Sequence, residues 1–174
     1  MKRMPWIERP FTFDVPVTLF GNVLERLRGT PARIEERVRE LPRALLVRRA
    51  GESWSIQENA GHLVEVESLW HGRLEDFAAG LEVLRPADME NRSTYAADYN
   101  SRSIGEILDQ FRSSRMSLIE KLEALDEESI ERSVLHPRLN QKMRILDMMV
   151  FAAEHDDHHL ARISELLRDF GSDR

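Results

Sequence analysis

The sequence contains no cysteine among its 174 residues. Disulfides, thiolate metal sites and a catalytic thiol supplied by the chain itself are therefore excluded. An excess of basic residues is also missing, because 25 Lys and Arg stand against 31 Asp and Glu, a formal net charge of −6. Since phosphate neutralisation needs a basic surface, this balance argues against a general DNA- or RNA-binding protein.

Long apolar runs are absent too. The most apolar stretch, residues 148–153, is far too short to span a bilayer. Residues 1–16 contain charges and three prolines but no apolar segment typical of a secretory signal. We therefore expect a cytoplasmic protein with no membrane partner. At this length we expect one domain over residues 1–174, with an arm at 1–16 and a helical body at about 17–170.

The arm has its own pattern of prolines and aromatics. Prolines at positions 5, 10 and 16 prevent a regular helix. Three aromatic residues between them are expected to hold the arm against the body: Trp6, Phe11 and Phe13.

Apolar residues recur at helical spacing in four segments. The first covers residues 17–41 and is interrupted by Gly29, Thr30 and Pro31. Thr30 could cap a new helix, but Leu27 and Ile34 stay seven residues apart, so the apolar face keeps its register. We therefore expect one kinked helix rather than two separate helices.

Three further helices follow. The second begins at a capping box, Ser55 to Glu58, and ends near Gly80, and the third begins at a similar pattern, Ser103 to Glu106. The fourth runs from about residue 143 to 170, and no segment has the pattern of a strand. The prediction is an all-α four-helix bundle. Its long connections, residues 81–102 and 126–142 with a helical turn near 127–132, make plain up-down-up-down topology improbable.

Three of the six histidines lie in the fourth segment, at positions 155, 158 and 159. At about 100° per residue, His155 and His159 point toward the bundle interior, whereas His158 points toward solvent. Two imidazoles four residues apart on a helix can share a metal ion. The alternative is that they are hydrogen-bonded histidines of the core or its rim.

The second helix offers His62 on one flank of its apolar face and His71 on the other. Only one of them can join the pair on the fourth helix, and spacing alone does not decide which. Asp156 lies near the centre of the core-facing arc, where a carboxylate is costly unless it is paired. It either bonds to an Arg or Trp of a neighbouring helix or orients a metal-bound imidazole.

Other catalytic patterns are missing from the sequence. No Glu precedes a His by three residues, and neither a zinc-protease motif nor a glycine-rich phosphate loop occurs. No serine lies in a nucleophile-elbow pattern.

Taken together, Trp54-Ser55-Ile56 with His62-Leu63, and His155-Asp156 with His159, resemble the DinB/YfiT-like superfamily. The resemblance extends from about residue 19 to 167 in length, helix order and histidine positions. It implies a four-helix bundle, a homodimer and a divalent metal held by His62, His155 and His159. Some relatives that make ergothioneine carry a Glu two residues after the second histidine of the pair, but this chain has Ala161 there.

The activities that the resemblance implies are thiol-dependent S-transfer, maleylpyruvate isomerisation and metal-dependent hydrolysis of a small molecule. Three imidazoles leave an open position on Zn, Ni, Fe or Mn, where a water or thiolate becomes a nucleophile at neutral pH. Because the chain has no cysteine, such a low-molecular-weight thiol must come from outside. The alternatives are a non-catalytic dimeric bundle that binds a metal or ligand with a stress-related role, or a DNA-associated damage protein, against which the charge argues.

The two long connections are the expected walls of the site. The candidate lining residues are Tyr95, Asp98, Tyr99, Asn100, Arg102, His136, Arg138 and Asn140. The competing interpretation is that these residues are ordinary loop surface. Three methionines, at 143, 148 and 149, are expected to pack in the core, and Trp54 and Trp70 are expected in the core or at a hinge.

Overall fold

The computed structural model describes residues 3–171, and four long helical units dominate it. The bundle helices are α1 (Phe20–Arg28) with α2 (Thr30–Val38), α4 (Ile56–Ala78), α6 (Ile104–Glu123) and α8 (Ile145–Gly171). Short helices α3 (Arg43–Leu46), α5 (Arg92–Ala96) and α7 (Glu127–Glu131), and 3-10 turns at Trp6–Glu8, Val17–Leu19 and Tyr99–Ser101, lie in the connections. The predicted four-helix bundle is confirmed.

The order of the helices around the bundle is unusual. Helix α4 packs mainly against α6 and α8, and α1 packs against the same two helices. The first and second helical units therefore lie diagonally opposite each other, which a plain up-down-up-down bundle does not allow. Long crossings between the helices make this arrangement possible, as the lengths of the connections indicated.

The first helical unit keeps its direction across Gly29. This residue has helical angles, φ −75° and ψ −16°, and its N–H donates to the carbonyl of Glu25 at 3.0 Å. The Thr30 hydroxyl does not cap a new helix, because it bonds back to the carbonyl of Arg26 at 3.3 Å. Residues 20–38 thus follow the expected single path with a break at one glycine.

The two predicted capping boxes have different outcomes. At the start of α4, Ser55 Oγ accepts the Glu58 N–H at 3.0 Å and the Glu58 carboxylate accepts the Ser55 N–H at 2.8 Å. At the start of α6, the Ser103 side chain makes no capping bond, so the second prediction is wrong. The Ser55 hydroxyl also donates to Asn100 Oδ1 at 2.8 Å, which ties the cap to the first long connection. The Glu58 carboxylate forms an ion pair with Arg49.

A short hairpin corrects the expectation that the chain contains no strand. Strand β1 (Ser133–His136) pairs antiparallel with β2 (Gln141–Arg144), with Val134 opposite Met143. Asn140 closes the turn with φ of 50°, a conformation that Asn tolerates better than most residues. The hairpin lies in the connection before α8, which begins at Ile145 rather than near 143.

The two long connections meet each other at this hairpin. The N–H of Leu84 donates to the carbonyl of Leu135 at 2.9 Å, and the N–H of Leu135 donates to the carbonyl of Glu82 at 3.1 Å. Segment 82–84 therefore extends the hairpin edge. Both connections are held on the same side of the bundle.

The core consists of two apolar clusters along the bundle. One includes Trp70, Phe151 and the three predicted methionines, which are fully buried, and the other includes Leu63 and Phe111. The aromatic residues of the arm, Trp6, Phe11 and Phe13, pack against the first cluster. No helix among residues 3–171 has both the length and the apolarity needed to cross a membrane.

Candidate metal centre

Three histidines from two helices converge inside the bundle. His62 lies on α4, and His155 and His159 lie one turn apart on α8. One ring nitrogen of each lies within 4.8 Å of the other two, and their ring centres are 4.6–5.3 Å apart. All three side chains are buried, with at most 7% of each residue exposed.

Hydrogen bonding fixes the ring of His159. The Asn59 Nδ2 donates to the Ser55 carbonyl at 2.7 Å and also faces the Trp54 carbonyl at 3.3 Å, so Oδ1 must point the other way. That oxygen lies 2.9 Å from His159 Nδ1. Because an amide oxygen only accepts, Nδ1 carries the proton and Nε2 keeps its lone pair. This is the tautomer that a metal ligand needs.

The other two rings are similarly available. His62 Nδ1 lies 2.9 Å from the Thr94 hydroxyl, which can accept its proton and leave Nε2 free. His155 Nδ1 is buried and has no hydrogen-bond partner among the described residues. A buried nitrogen that no protein group satisfies is uncommon in a folded protein, and it is consistent with a ring that contacts a bound ion or molecule.

Burial keeps all three imidazoles neutral. It lowers the pKa of His62 to about 4, and it lowers the pKa of His155 and of His159 well below the usual value. The neighbouring histidines add to the shift, since two positive rings would repel each other. Neutral imidazole is the form that coordinates a metal.

The residues present therefore fit a divalent metal ion. The cluster supplies three neutral nitrogen donors, two of them oriented by side chains on other elements. Within the described part of the chain, no Asp or Glu completes this cluster. Such a donor set suits Zn, Ni, Fe or Mn and leaves at least one coordination position for another molecule.

Asp156 takes the first of the two roles left open for it. It is fully buried and bonded to the equally buried Arg115, with Nη1 to Oδ2 at 2.5 Å and Nη2 to Oδ1 at 3.2 Å. Arg115 also donates to Glu67 at 2.6 Å. Asp156 thus joins α8 to α6, and the atoms that orient the imidazoles belong to Asn59 and Thr94.

The remaining histidines lie outside the cluster. His71 faces α6, with Nε2 3.2 Å from the Ser114 carbonyl. His158 is half-buried rather than pointing to solvent, because Arg3 and Trp6 of the arm cover it. His136 is not a turn residue: it ends β1, is buried, and accepts the Leu139 N–H at Nδ1.

The three histidines open into a cavity of about 810 Å³. Its walls come from both connections, the arm and helices α4 and α8. The arm contributes Trp6 and Ile7, and Trp54 lies just before α4. The first connection contributes residues 85–89, Asn91, Ser93 and Thr94, and the second contributes residues 136–138.

Of the eight predicted wall residues, two line the cavity. His136 and Arg138 line the cavity as expected, but Asn140 does not. In the first connection the lining falls earlier, at 85–94, than the expected 95–102. Tyr99 is instead buried against Gly61, and its hydroxyl donates to Glu65. It fastens the connection to α4.

Sequence reasoning missed Asn59, Thr94 and Trp6 as parts of the site. Asn59 stands one turn before His62 on the buried face of α4, and a buried amide beside a histidine was the available signal. Trp6 lies 5.1 Å, ring centre to ring centre, from His155. That contact depends on how the arm folds back, and no local pattern indicates it.

Comparison with known proteins agrees with this architecture. The sequence matches the DinB superfamily over residues 26–163. A solved structure of YfiT from Bacillus subtilis, described as a probable metal-dependent hydrolase with an unusual four-helix bundle topology, superposes with a TM-score of 0.83. The two share 18% identity, and the alignment covers 94% of each chain.

Two more solved structures share the fold. A mycothiol-dependent maleylpyruvate isomerase gives a TM-score of 0.66 at 13% identity, covering 85% of this chain and 60% of that one. A protein from Streptococcus pneumoniae gives 0.65 at 16% identity, covering 90% and 91%. Among curated proteins, none matches the sequence significantly.

Proposed function

Because the chain belongs to the DinB superfamily, we propose that it is a metal-dependent enzyme acting on a small molecule. His62, His155 and His159 hold the divalent metal in this proposal. The observation that carries it is the convergence of three buried, neutral imidazoles at the base of a large cavity.

The metal's contribution is to lower the pKa of a water or thiol at its open position, which supplies a nucleophile at neutral pH. The protein does the rest. Asn59 fixes the tautomer of His159, Thr94 orients the ring of His62, and the aromatic walls at Trp6, Trp54 and Trp70 exclude water around a bound molecule. Excluding water strengthens the polar contacts made inside the cavity.

Two reaction classes fit this site: hydrolysis of a small substrate, and transfer of a small thiol to an electrophile. The YfiT description supports the first class, and the mycothiol dependence of the isomerase supports the second. In the second class the thiol is a cosubstrate, since the chain has no cysteine.

The metal is tested first. Protein purified without a histidine tag is dialysed against equimolar zinc, nickel, iron(II) and manganese, and the bound metal is counted by mass spectrometry. We expect about one ion per chain in the wild type and in His71→Ala, and strong loss in His62→Ala and His159→Ala. Equal metal in all four proteins would refute the site.

Turnover is tested next, with small esters and amides and with thiols paired with electrophiles. Activity that chelation abolishes and the expected metal restores supports the enzyme. Metal binding without turnover across both panels would instead support a metal-binding module without catalysis. The cavity favours the enzyme, since a purely structural metal site needs no enclosed space beside it.

The proposal also includes the setting of the protein. We propose a single domain that acts in the cytoplasm and that forms a homodimer, as the family resemblance implies. Light scattering after gel filtration tests the dimer, and a mass of 20.3 kDa, that of one chain, would refute it.

A further inference from the structure

The cavity wall contains buried polar atoms without hydrogen-bond partners among the described residues. Among the described residues, five buried side-chain nitrogen or oxygen atoms lack a hydrogen-bond partner. Four of them belong to cavity-lining residues: Trp70 Nε1, His136 Nε2, Arg138 Nη2 and His155 Nδ1. Because native proteins leave few such atoms unpaired, four around one space mark it as a place where a bound molecule can supply their partners.

Three of the four atoms must be donors. Indole and guanidinium nitrogens only donate. In His136 the Nδ1 already accepts the Leu139 N–H at 3.2 Å, so a neutral ring carries its proton on Nε2. What these atoms lack is therefore an acceptor, a different need from that of the three metal-site histidines.

The side chains that carry the three donors all lie near one aromatic ring, that of Phe151. The centre of the Phe151 ring lies 6.2 Å from that of Trp70 and 5.5 Å from that of His136. The Arg138 Cζ lies 5.7 Å from the same ring centre. His155 is one helical turn from Phe151 on α8. The unpaired donors thus form one group beside the histidine cluster.

Arg73 adds a second cation to this group. It is 1% exposed, lines the cavity, and its Cζ lies 5.7 Å from the Trp70 ring centre. Its one hydrogen bond in the described structure runs from Nε to the Arg85 carbonyl at 3.2 Å. The nearby carboxylate, Asp76, already pairs with Arg85, whose Nη2 and Nε donate to Oδ1 at 2.7 and 3.0 Å.

The other acids on the cavity wall are already engaged. Asp88 accepts the backbone N–H groups of Glu90 and Ser93 at 3.1 and 3.2 Å. Glu65 accepts the Tyr99 hydroxyl. Within residues 3–171, neither Arg73 nor Arg138 has a carboxylate within ion-pair distance. Arg73 is buried and Arg138 is partly buried with a buried Nη2, and a cation shielded from water without a counter-ion is unfavourable, so these side chains favour an anion from outside.

We propose that Arg73, Arg138, His136 and Trp70 form an anion-binding subsite beside the three histidines, so that the molecule bound in the cavity carries a carboxylate or phosphate group. Guanidinium groups present paired donors that match the oxygens of these groups. The aromatic and aliphatic walls would hold the organic part. The subsite rests on the proposed function only for its role in a reaction, because anion binding itself needs no metal.

The test measures binding to metal-free protein. Wild-type chain treated with a chelator is titrated with benzoate, with the uncharged benzamide and with inorganic phosphate, by tryptophan fluorescence and calorimetry. Benzoate or phosphate should bind at least tenfold more tightly than benzamide. The tighter of the two anions identifies the group that the subsite recognises. Equal binding of benzoate and benzamide, without phosphate binding, would overturn the proposal.

Variants locate the binding. Arg138→Met should weaken anion binding at least tenfold, and Arg138→Lys should restore part of it. Arg112→Met, an exposed arginine paired with Glu35, should change nothing. Circular dichroism and thermal unfolding confirm that each variant folds. If Arg138→Met folds and binds as wild type, the assignment is wrong.

A metal-site variant separates this proposal from the previous one. His159→Ala should lose metal and keep its benzoate or phosphate affinity. Loss of anion affinity in metal-free His159→Ala would place the anion at the histidines and refute the separate subsite. Failure of the wild type to bind metal would refute the metal site and leave the anion measurement unaffected.

Discussion

The Nδ1 atom of His159 lies 2.9 Å from Oδ1 of Asn59. This bond sets which nitrogen of the ring faces His62 and His155. Asn59→Ala removes the acceptor and lets the ring turn or change tautomer. We expect zinc affinity, measured by competition with a chelating dye, to fall about 10–100-fold. Asn59→Asp keeps an oxygen acceptor and should retain most of the affinity. Unchanged affinity in Asn59→Ala would contradict the assigned tautomer.

The free energy of unfolding should decrease as the pH is lowered below about 6.5, because the buried histidines resist protonation. Burial lowers the pKa of His62, His136 and His158 to about 4, and it lowers the pKa of His155 and of His159 well below the usual value. Below pH 6.5 the unfolded chain therefore binds more protons than the folded one, and acidification favours unfolding.

The size of this effect can be measured on metal-free protein. A group with the shift of His62 contributes roughly 2 kcal/mol of stability at pH 7 that is lost by pH 5. Urea unfolding at pH 7.5, 6 and 5 should show a steady loss, with a shallower slope in His62→Leu. A flat profile over this range would mean that the histidines are not buried neutral.

Gly61 is required where Tyr99 crosses α4. A Cβ at this position would overlap the Tyr99 ring. Gly61→Ala should lower the free energy of unfolding by about 1–3 kcal/mol, the usual cost of overpacking. The matched control is Gly21→Ala, where nothing lies within 4 Å, and a gain of up to about 1 kcal/mol is expected. Equal effects of the two substitutions in chemical denaturation would disprove the contact.

The ion cluster in the core depends on its single cation. Arg115 bridges Glu67 and Asp156, all three fully or almost fully buried. Arg115→Met leaves two buried carboxyls unpaired and should cost about 3–5 kcal/mol. Replacing all three residues together, with Met and two Leu, should recover most of that loss. If the single and triple variants unfold at the same urea concentration, the pairing does not explain the cost.

Much of the fold could be predicted from periodicity. The four bundle helices carry apolar residues at steady spacing over two or more turns, and that signal is local. The hairpin has four residues a strand, too few to show alternation, and it depends on pairing with residues 82–84. At Ser103 the same pattern forms no capping bond, whereas the hydroxyl of Ser55 is also held by Asn100 across the structure.

Part of the candidate site could also be predicted from local helical periodicity. The spacing of His155 and His159 and their register on one face are local properties of α8. The choice of His62 over His71 came from the family resemblance. The sequences of α4 and α8 do not indicate which histidine of α4 lies level with His155 and His159 in the bundle. The unpaired donors of His136 and Arg138 depend on how the second connection packs. That packing leaves no periodic pattern in the sequence, so these donors could not be predicted.

The bond between Asn59 and His159 joins residues 100 positions apart in the chain. The chain between them must close on itself before this contact forms, which has a cost in conformational entropy. Neither α4 nor α8 alone can therefore assemble the histidine cluster. A nascent or proteolysed chain would have at most the α8 pair, so a full complement of metal would report that the whole bundle has closed.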